Sequence, residues 1–279
     1  MFISVTSLFK GSQQSLFFVG KSIVQNLFQK IVKCGADLLS TESQGGQIVA
    51  VYRQIPEGQA AVLFPDLIQQ VVYPGEPLGI IGLSGAFAAH IRLLVNAAGF
   101  GKFGAYHKVS VTEECRMIDL NCKALLVMTR LCLPYMQQGS HVLQLDSLSA
   151  FQPVPYITTY GATKAFVLSY SRAMNRELKS RGIRMMTLNP AWVKTEFFDR
   201  AFQTNDDGEV RYFNYVYEAA DMVAVGLKDL YKSKKDCSIP GLPVKFQVLL
   251  VKLIPHRFVM DTWLKQQKTE KNSKGLTKK

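Results

Sequence analysis

Tyr160 and Lys164 stand four residues apart, a spacing that puts both side chains on one face of a helix with their Cβ atoms about 5–6 Å apart. An ammonium beside a phenol favours the phenolate. The pair therefore predicts a tyrosine whose pKa falls from about 10 toward neutrality and which gives or takes a proton during a reaction. Spacing alone discriminates poorly, because a second such pair, Tyr231 with Lys235, lies among Lys232, Ser233 and Lys234 in what reads as an exposed basic turn. The surroundings of Tyr160 set it apart. Ser147 lies thirteen residues before it, just past the apolar run 141–146, and offers a hydroxyl to a substrate oxygen. Asn96-Ala-Ala-Gly99 follows another apolar run, Asn121 falls in the helical stretch between, and Asn189-Pro-Ala-Trp-Val-Lys-Thr195 follows a third run. Open parallel α/β sheets bind ligands beyond the C-terminal ends of their strands, which is where these residues would gather.

The elements that must position them are legible after residue 92. Residues 92–96, 141–146 and 183–189 read as buried strands, the last closed by Pro190. Between and after them, residues 111–136, 156–181 and 218–232 carry apolar side chains at helical spacing. The Gln137-Gln138-Gly139 turn and Gly182 act as stops for the first two helices. Alternation of this kind predicts βαβ units on a parallel sheet. Residues 1–85 are less regular: 2–6 and 48–52 suit strands and 18–34 a helix capped by Gly35. The expected architecture is a single α/β domain, a Rossmann-like doubly wound parallel sheet with helices on both faces. It spans residues 1–242, followed at 243–279 by an amphipathic helix and a Lys-rich tail.

Composition narrows the alternatives. The chain has 279 residues, 48% hydrophobic and 19% charged, which excludes collagen-like, disordered and disulfide-stapled classes. Five cysteines without C-x-x-C spacing and four scattered histidines without an HExxH pattern supply no disulfide framework and no metal site. A reducing compartment is expected. Of the net charge of +12, +7 is carried by residues 245–279, with nine Lys or Arg against Asp261 and Glu270. No aromatic platform is interleaved with these charges, so nucleic acid is not an expected partner. The stretch after Trp263 reads as a solvated tail. Residues 244–264 are apolar with Lys245, Lys252, His256 and Arg257 interspersed, which suits weak contact with a membrane surface and not a span. The first residues lack a basic flank and an uninterrupted apolar core, so a cytoplasmic location is expected.

Over residues 92–232 the sequence resembles the short-chain dehydrogenase/reductase family, whose marks are an N-A-G turn, an Asn, a Ser followed by Y-x-x-x-K, and a Pro-Gly segment ending in Thr. The run Tyr160-Gly-Ala-Thr-Lys-Ala165 is especially close. The resemblance implies an enzyme that passes hydride between a nicotinamide and a carbonyl or alcohol carbon. Tyr160 would exchange the proton, Ser147 would orient the substrate oxygen, and Lys164 would hold the nicotinamide ribose and lower the Tyr160 pKa. Asn121 would anchor a water in the proton relay. Asn96 and Gly99 would border the adenine side of the cofactor, while Pro190, Val193 and Thr195 would line its nicotinamide and pyrophosphate. Assembly as a homodimer or homotetramer through the helices that follow Val111 and Tyr156 is also implied.

The sequence departs from the family at the T-G-x-x-x-G-x-G turn. Aligned in phase, residues 5–13 keep only Thr6 and Gly11, with Ser7 and Gln13 at glycine positions, where a Cβ crowds a phosphate or a helix start. Ala191 replaces a glycine after Pro190. Asp66 is the candidate for an adenine contact, and Arg53, directly after strand 48–52, favours a 2′-phosphate; NADP is therefore the expected cofactor, with NAD compatible. Seven aromatics between Phe197 and Tyr217 fall where the family has its substrate lid. They either line a pocket for an apolar carbonyl or pack the lid onto the body. Two functions compete: an NAD(P)-dependent oxidoreductase, and a non-catalytic Rossmann nucleotide-binding or inactive relative motivated by the altered turn.

Overall fold

In the computed structural model the described residues are 47–51, 91–205 and 208–268. The apolar runs become strands: β1 (Gln47–Val51), β2 (Ile91–Asn96), β3 (Met136–Leu145), β4 (Arg184–Leu188), the short β5 (Trp192–Lys194) and β6 (Val216–Glu218), and β7 (Cys237–Ser238). Five of them form one all-parallel sheet in the order β1-β2-β3-β4-β7, and β5 pairs with β6 separately. Runs such as Leu93-Leu94-Val95 and Met185-Met186 are apolar at every position because a parallel sheet is covered on both sides. All five of those side chains are buried.

Successive residues of each strand serve opposite faces. Leu93, Val95, Leu143, Met186 and Leu188 pack against Val223, Leu227 and Leu230 of α5 (Ala219–Lys232). The other face presents Ile91, Leu94, Val142 and Met185 to Cys132, Leu133, Met174 and Leu178. Those residues come from α2 (Leu125–Cys132), from α3 (Thr158–Glu177) and from the 3-10 turns that follow each helix. The chain is therefore a doubly wound α/β domain with helices on both faces of the sheet, as expected.

The helix read over 111–136 is interrupted. α1 (Val111–Ile118) runs through a π-helical segment, Asp119–Ala124, into α2, and a 3-10 turn at Leu133–Tyr135 ends it. The expected turn at residues 137–139 instead lies within an irregular start of β3. Met136 already pairs with Ile91, and Ser140 bridges the irregularity by donating to Ile91 O and accepting from Gln137 N. Gly139 there has φ +83°, a conformation that favours glycine. The second expected stop is found in place: α3 and its 3-10 extension end at Gly182, φ +64°.

A short helix α4 (Phe197–Ala201) precedes β6, and the C-terminal region forms two helices, α6 (Leu242–Leu253) and α7 (His256–Gln267). The single amphipathic helix expected there is broken at Ile254-Pro255. Pro255 lacks an amide hydrogen, and the residue before a proline is driven out of the helical region; Ile254 is extended, φ −95°, ψ 135°. The tail expected after Trp263 starts later: α7 continues to Gln267, which is buried, as is Trp263 within a cluster that includes Phe103, Val154, Phe198 and Phe213, and residues 269–279 lie outside the described residues.

Candidate active site

The ends of β2, β3 and β4 deliver polar residues side by side, because the strands are parallel and in close register. Asn96 ends β2, Asp146 and Ser147 follow β3, and Asn189 follows β4. Backbone bonds from Asp146 N to Leu188 O (2.8 Å) and from Leu148 N to Pro190 O (2.9 Å) keep the strands joined past their ladders. Ser147 is extended and caps the 3-10 turn Leu148–Phe151 by accepting from Ser149 N at 3.2 Å. Its hydroxyl is near enough to Tyr160 to favour the phenolate. Tyr160 is the third residue of α3, and Lys164 lies one turn further on, with Nζ 5.6 Å from the centre of the tyrosine ring. The structure thus brings Ser147, Tyr160 and Lys164 together.

Lys164 is buried, 4% exposed, and donates to Leu145 O at 2.9 Å. Burial lowers its pKa, and the nearby Asp146 and Cys122 oppose that shift. The expected depression of the Tyr160 pKa is not found. Burial pushes the phenol upward, the Ser147 hydroxyl works in the other direction, and the Asp146 charge adds to the rise. Desolvation is the largest influence, since charge on a phenolate is penalised in an apolar setting. That setting comes from Phe103 (centroid distance 6.3 Å) and Phe197 (5.3 Å).

Asp146 drew no assignment from the sequence, although an acid closing an apolar strand next to Ser147 was a visible signal. It is 3% exposed, and its Oδ2 accepts from Asn189 Nδ2 at 2.6 Å. Burial raises its pKa against the opposing pull of Lys164, the Asn189 amide and the Ser147 backbone N–H. The site thus holds a buried acid and a buried lysine that feel each other's charge.

Asn121 sits in the π-helical segment and is 1% exposed. Its Oδ1 accepts from Phe100 N (3.1 Å), and its Nδ2 donates to Phe100 O (2.9 Å) and Thr163 Oγ1 (3.0 Å). The side chain is a clamp that fastens the turn after β2 to α3. Gly99 lies against it, not on an open surface: a Cβ there would come within 2.9 Å of Asn121 Oδ1 and 3.6 Å of Lys164 Nζ. Asn96 likewise points inward, donating to Thr129 Oγ1 at 3.0 Å. These two expected adenine-side residues have structural partners within the protein. Pro190 is buried, Val193 belongs to β5, and Thr195 Oγ1 accepts from Phe197 N at 3.4 Å at the start of α4. Thr6, Gly11, Arg53 and Asp66 lie outside the described residues.

The aromatic stretch packs mainly onto the body. Phe198, Phe202 and Phe213 associate with Trp192, while Phe197 and Phe103 reach Tyr160. Helix α7 braces this assembly. Trp263 Nε1 donates to Pro155 O (3.0 Å) in the loop before Tyr160, and Gln267 Oε1 accepts from Arg211 N (2.8 Å) and Tyr212 N (2.9 Å). In the same loop Tyr156 holds φ +65° and its carbonyl accepts from Gly104 N at 2.9 Å. A non-glycine residue in that region costs about 1–3 kcal/mol and persists only where the surroundings enforce it.

Comparison with known proteins gives consistent results. The family model for short chain dehydrogenase matches residues 19–206. The very-long-chain 3-oxoacyl-CoA reductase-A of Danio rerio is 32% identical over 170 residues, 59% of this chain and 50% of that protein. The NADP-dependent 3-hydroxy acid dehydrogenase YdfG of Escherichia coli K12 is 36% identical over 124 residues, 43% of this chain and 50% of its own. The chain thus spans about half the length of these curated relatives. Among solved structures, a Sphingobium yanoikuyae short-chain dehydrogenase in complex with NADPH superimposes with a TM-score of 0.58 at 19% identity, covering 88% of this chain and 94% of that one.

Proposed function

The chain belongs to the short-chain dehydrogenase family, and from that premise we propose that it is an NAD(P)-dependent oxidoreductase acting on an apolar carbonyl or alcohol, with Tyr160 as the acid/base. The observation that carries the reading is the convergence of Ser147, just past the end of β3, with Tyr160 and Lys164 on successive turns of α3, where the Ser147 hydroxyl favours the phenolate and Lys164 Nζ lies 5.6 Å from the ring centre. The donor set suits a nicotinamide ribose. Lys164 makes one hydrogen bond, to Leu145 O, which leaves ammonium hydrogens for ribose hydroxyls, and Gly99 leaves the space beside Nζ clear of a Cβ. NADP is the favoured form, with NAD compatible; the Escherichia coli relative is named as NADP-dependent and the Sphingobium structure contains NADPH.

When bound, the nicotinamide supplies or accepts the hydride. Ser147 orients the substrate oxygen by hydrogen bonding. Because burial keeps Tyr160 protonated, the phenol is poised to donate its proton to an oxygen gaining negative charge, which suits the reduction direction. Lys164 then stabilises the resulting phenolate electrostatically. Asn121 holds the turn carrying Gly99 against this group. The lid residue Phe197, packed on the fully buried Phe103, gives the substrate side an apolar wall. Exposed Val111 and Ile118 on α1 and Phe166 on α3 suit burial between subunits of a homodimer or homotetramer. A reducing, cytoplasmic setting fits the free thiols of Cys115, Cys122, Cys132 and Cys237.

Titration of the purified protein with NADPH, followed by nucleotide fluorescence, tests the binding part. A panel of medium-chain ketones and aldehydes tests turnover. Saturable fluorescence change with NADPH oxidation on at least one carbonyl is expected; folded protein that gives neither overturns the proposal.

A further inference from the structure

Helix α6 is amphipathic in an inverted sense. Val244, Val248 and Val251 are buried against the body, whereas Leu242, Phe246, Leu249 and Leu253 are 78%, 61%, 53% and 73% exposed. At about 100° per residue these four fall within roughly 60° of arc, opposite the valines. Leu250, Ile254 and Phe258 extend the ridge across the break into α7, each also exposed. Seven large apolar side chains in one continuous patch are unusual on the surface of a soluble monomer.

The charges around the patch choose its occupant. Lys245 and Lys252 fall together on one flank of the ridge, and His256 and Arg257 follow at the start of α7. Along 245–268 the only acid is Asp261, and the sequence continues with Lys271, Lys274, Lys278 and Lys279 against Glu270. Two copies meeting face to face across a two-fold axis would bring these like charges together. An anionic surface is complementary to them. Lysines that flank an apolar ridge can lay their alkyl stems on it while their heads reach lipid headgroups. No helix among the described residues is long and apolar enough to cross a membrane. We propose that the outer face of α6 and the start of α7 dock the protein onto the surface of an anionic lipid bilayer, with the Leu242–Phe246–Leu249–Leu253 ridge inserted at the level of the headgroups. The face is rigidly attached to the catalytic body, since α7 is tied by Trp263 to Pro155 and by Gln267 to Arg211 and Tyr212.

Vesicle flotation of the full chain tests this without reference to turnover. With phosphatidylcholine vesicles containing about 30% phosphatidylserine, the protein should float at least about tenfold more strongly than with phosphatidylcholine alone, and added salt should reduce the difference. Phe246→Glu/Leu253→Glu alters only exposed positions and should lower flotation by at least about tenfold. Lys245→Glu/Lys252→Glu, with the ridge intact, should remove the preference for the anionic vesicles. Absence of flotation by the parent overturns the proposal. So does parent-like flotation of the Phe246→Glu/Leu253→Glu variant, which would assign binding to the basic residues beyond 268. A smaller particle mass of that variant in light scattering would identify the ridge as a contact between copies, and would equally overturn it.

Discussion

Asn121→Ala probes how the site is built. The side chain makes three hydrogen bonds, two of them to the backbone of Phe100, a residue 3% exposed. Truncation leaves the Phe100 N–H and C=O without their partner in a buried setting, where each unsatisfied group costs about 1–3 kcal/mol. Partial relaxation of the turn reduces the sum, giving a loss of about 2–5 kcal/mol. In a chain of this length that corresponds to a fall in Tm of about 5–15 °C. Thermal unfolding followed by circular dichroism reads the shift directly. Asn121→Asp retains the acceptor for Phe100 N but sets a carboxylate oxygen against the Phe100 carbonyl in a buried position, so it should melt no higher than alanine. A melt of Asn121→Ala within about 2 °C of the parent, outside the range expected for even one lost buried bond, would refute the clamp.

Three further outcomes are expected. Asp146 raises the Lys164 pKa by its charge, so Asp146→Asn should move the alkaline limb of the pH–rate profile to lower pH; an unmoved or upward-shifted limb would show that the two groups are not coupled. His141 has its pKa lowered to about 4, chiefly by burial and then by Arg184. Its unfolded value is about 6.5, so the stability it contributes is present above that pH and is lost as the pH falls toward 4. The residue is partly exposed, and the effect discounted for screening is about 1 kcal/mol. His141→Gln should flatten that part of a urea-denaturation series, and an unchanged slope would contradict it. Deleting residues 269–279 should leave the Tm unchanged, whereas deleting 265–279 also removes Gln267 and its bonds to Arg211 and Tyr212 and should lower it; equal melts would show that Gln267 braces nothing.

Strands β2, β3 and β4 were legible because two-sided burial makes each a continuous apolar run, and Gly182 marked its helix end through the left-handed conformation it supplies. The Tyr160-Gly-Ala-Thr-Lys sequence located the proposed acid/base pair for a similar reason, since helical spacing sets the Tyr160 and Lys164 side chains on one face. What escaped the sequence depends on contacts between distant segments. The direction of the Tyr160 pKa follows from enclosure by Phe103 and Phe197, which lie 57 and 37 residues away along the chain. Asp146 gains its meaning from Asn189, 43 positions on. The π-helical turn at Asn121 leaves no periodic signature in six residues, because apolar spacing over so short a stretch fits either helix type. The break at Pro255, by contrast, was readable from residue type.

The central claim is that the Tyr160 hydroxyl delivers the proton to the substrate oxygen. The most direct test is single-turnover reduction of a carbonyl substrate by Tyr160→Phe loaded with NADPH, compared with the parent at equal cofactor occupancy. The account predicts a melt close to that of the parent, retained NADPH binding and a loss in rate of about 10²-fold or more. A Tyr160→Phe protein that reduces the substrate at the parent rate would contradict it.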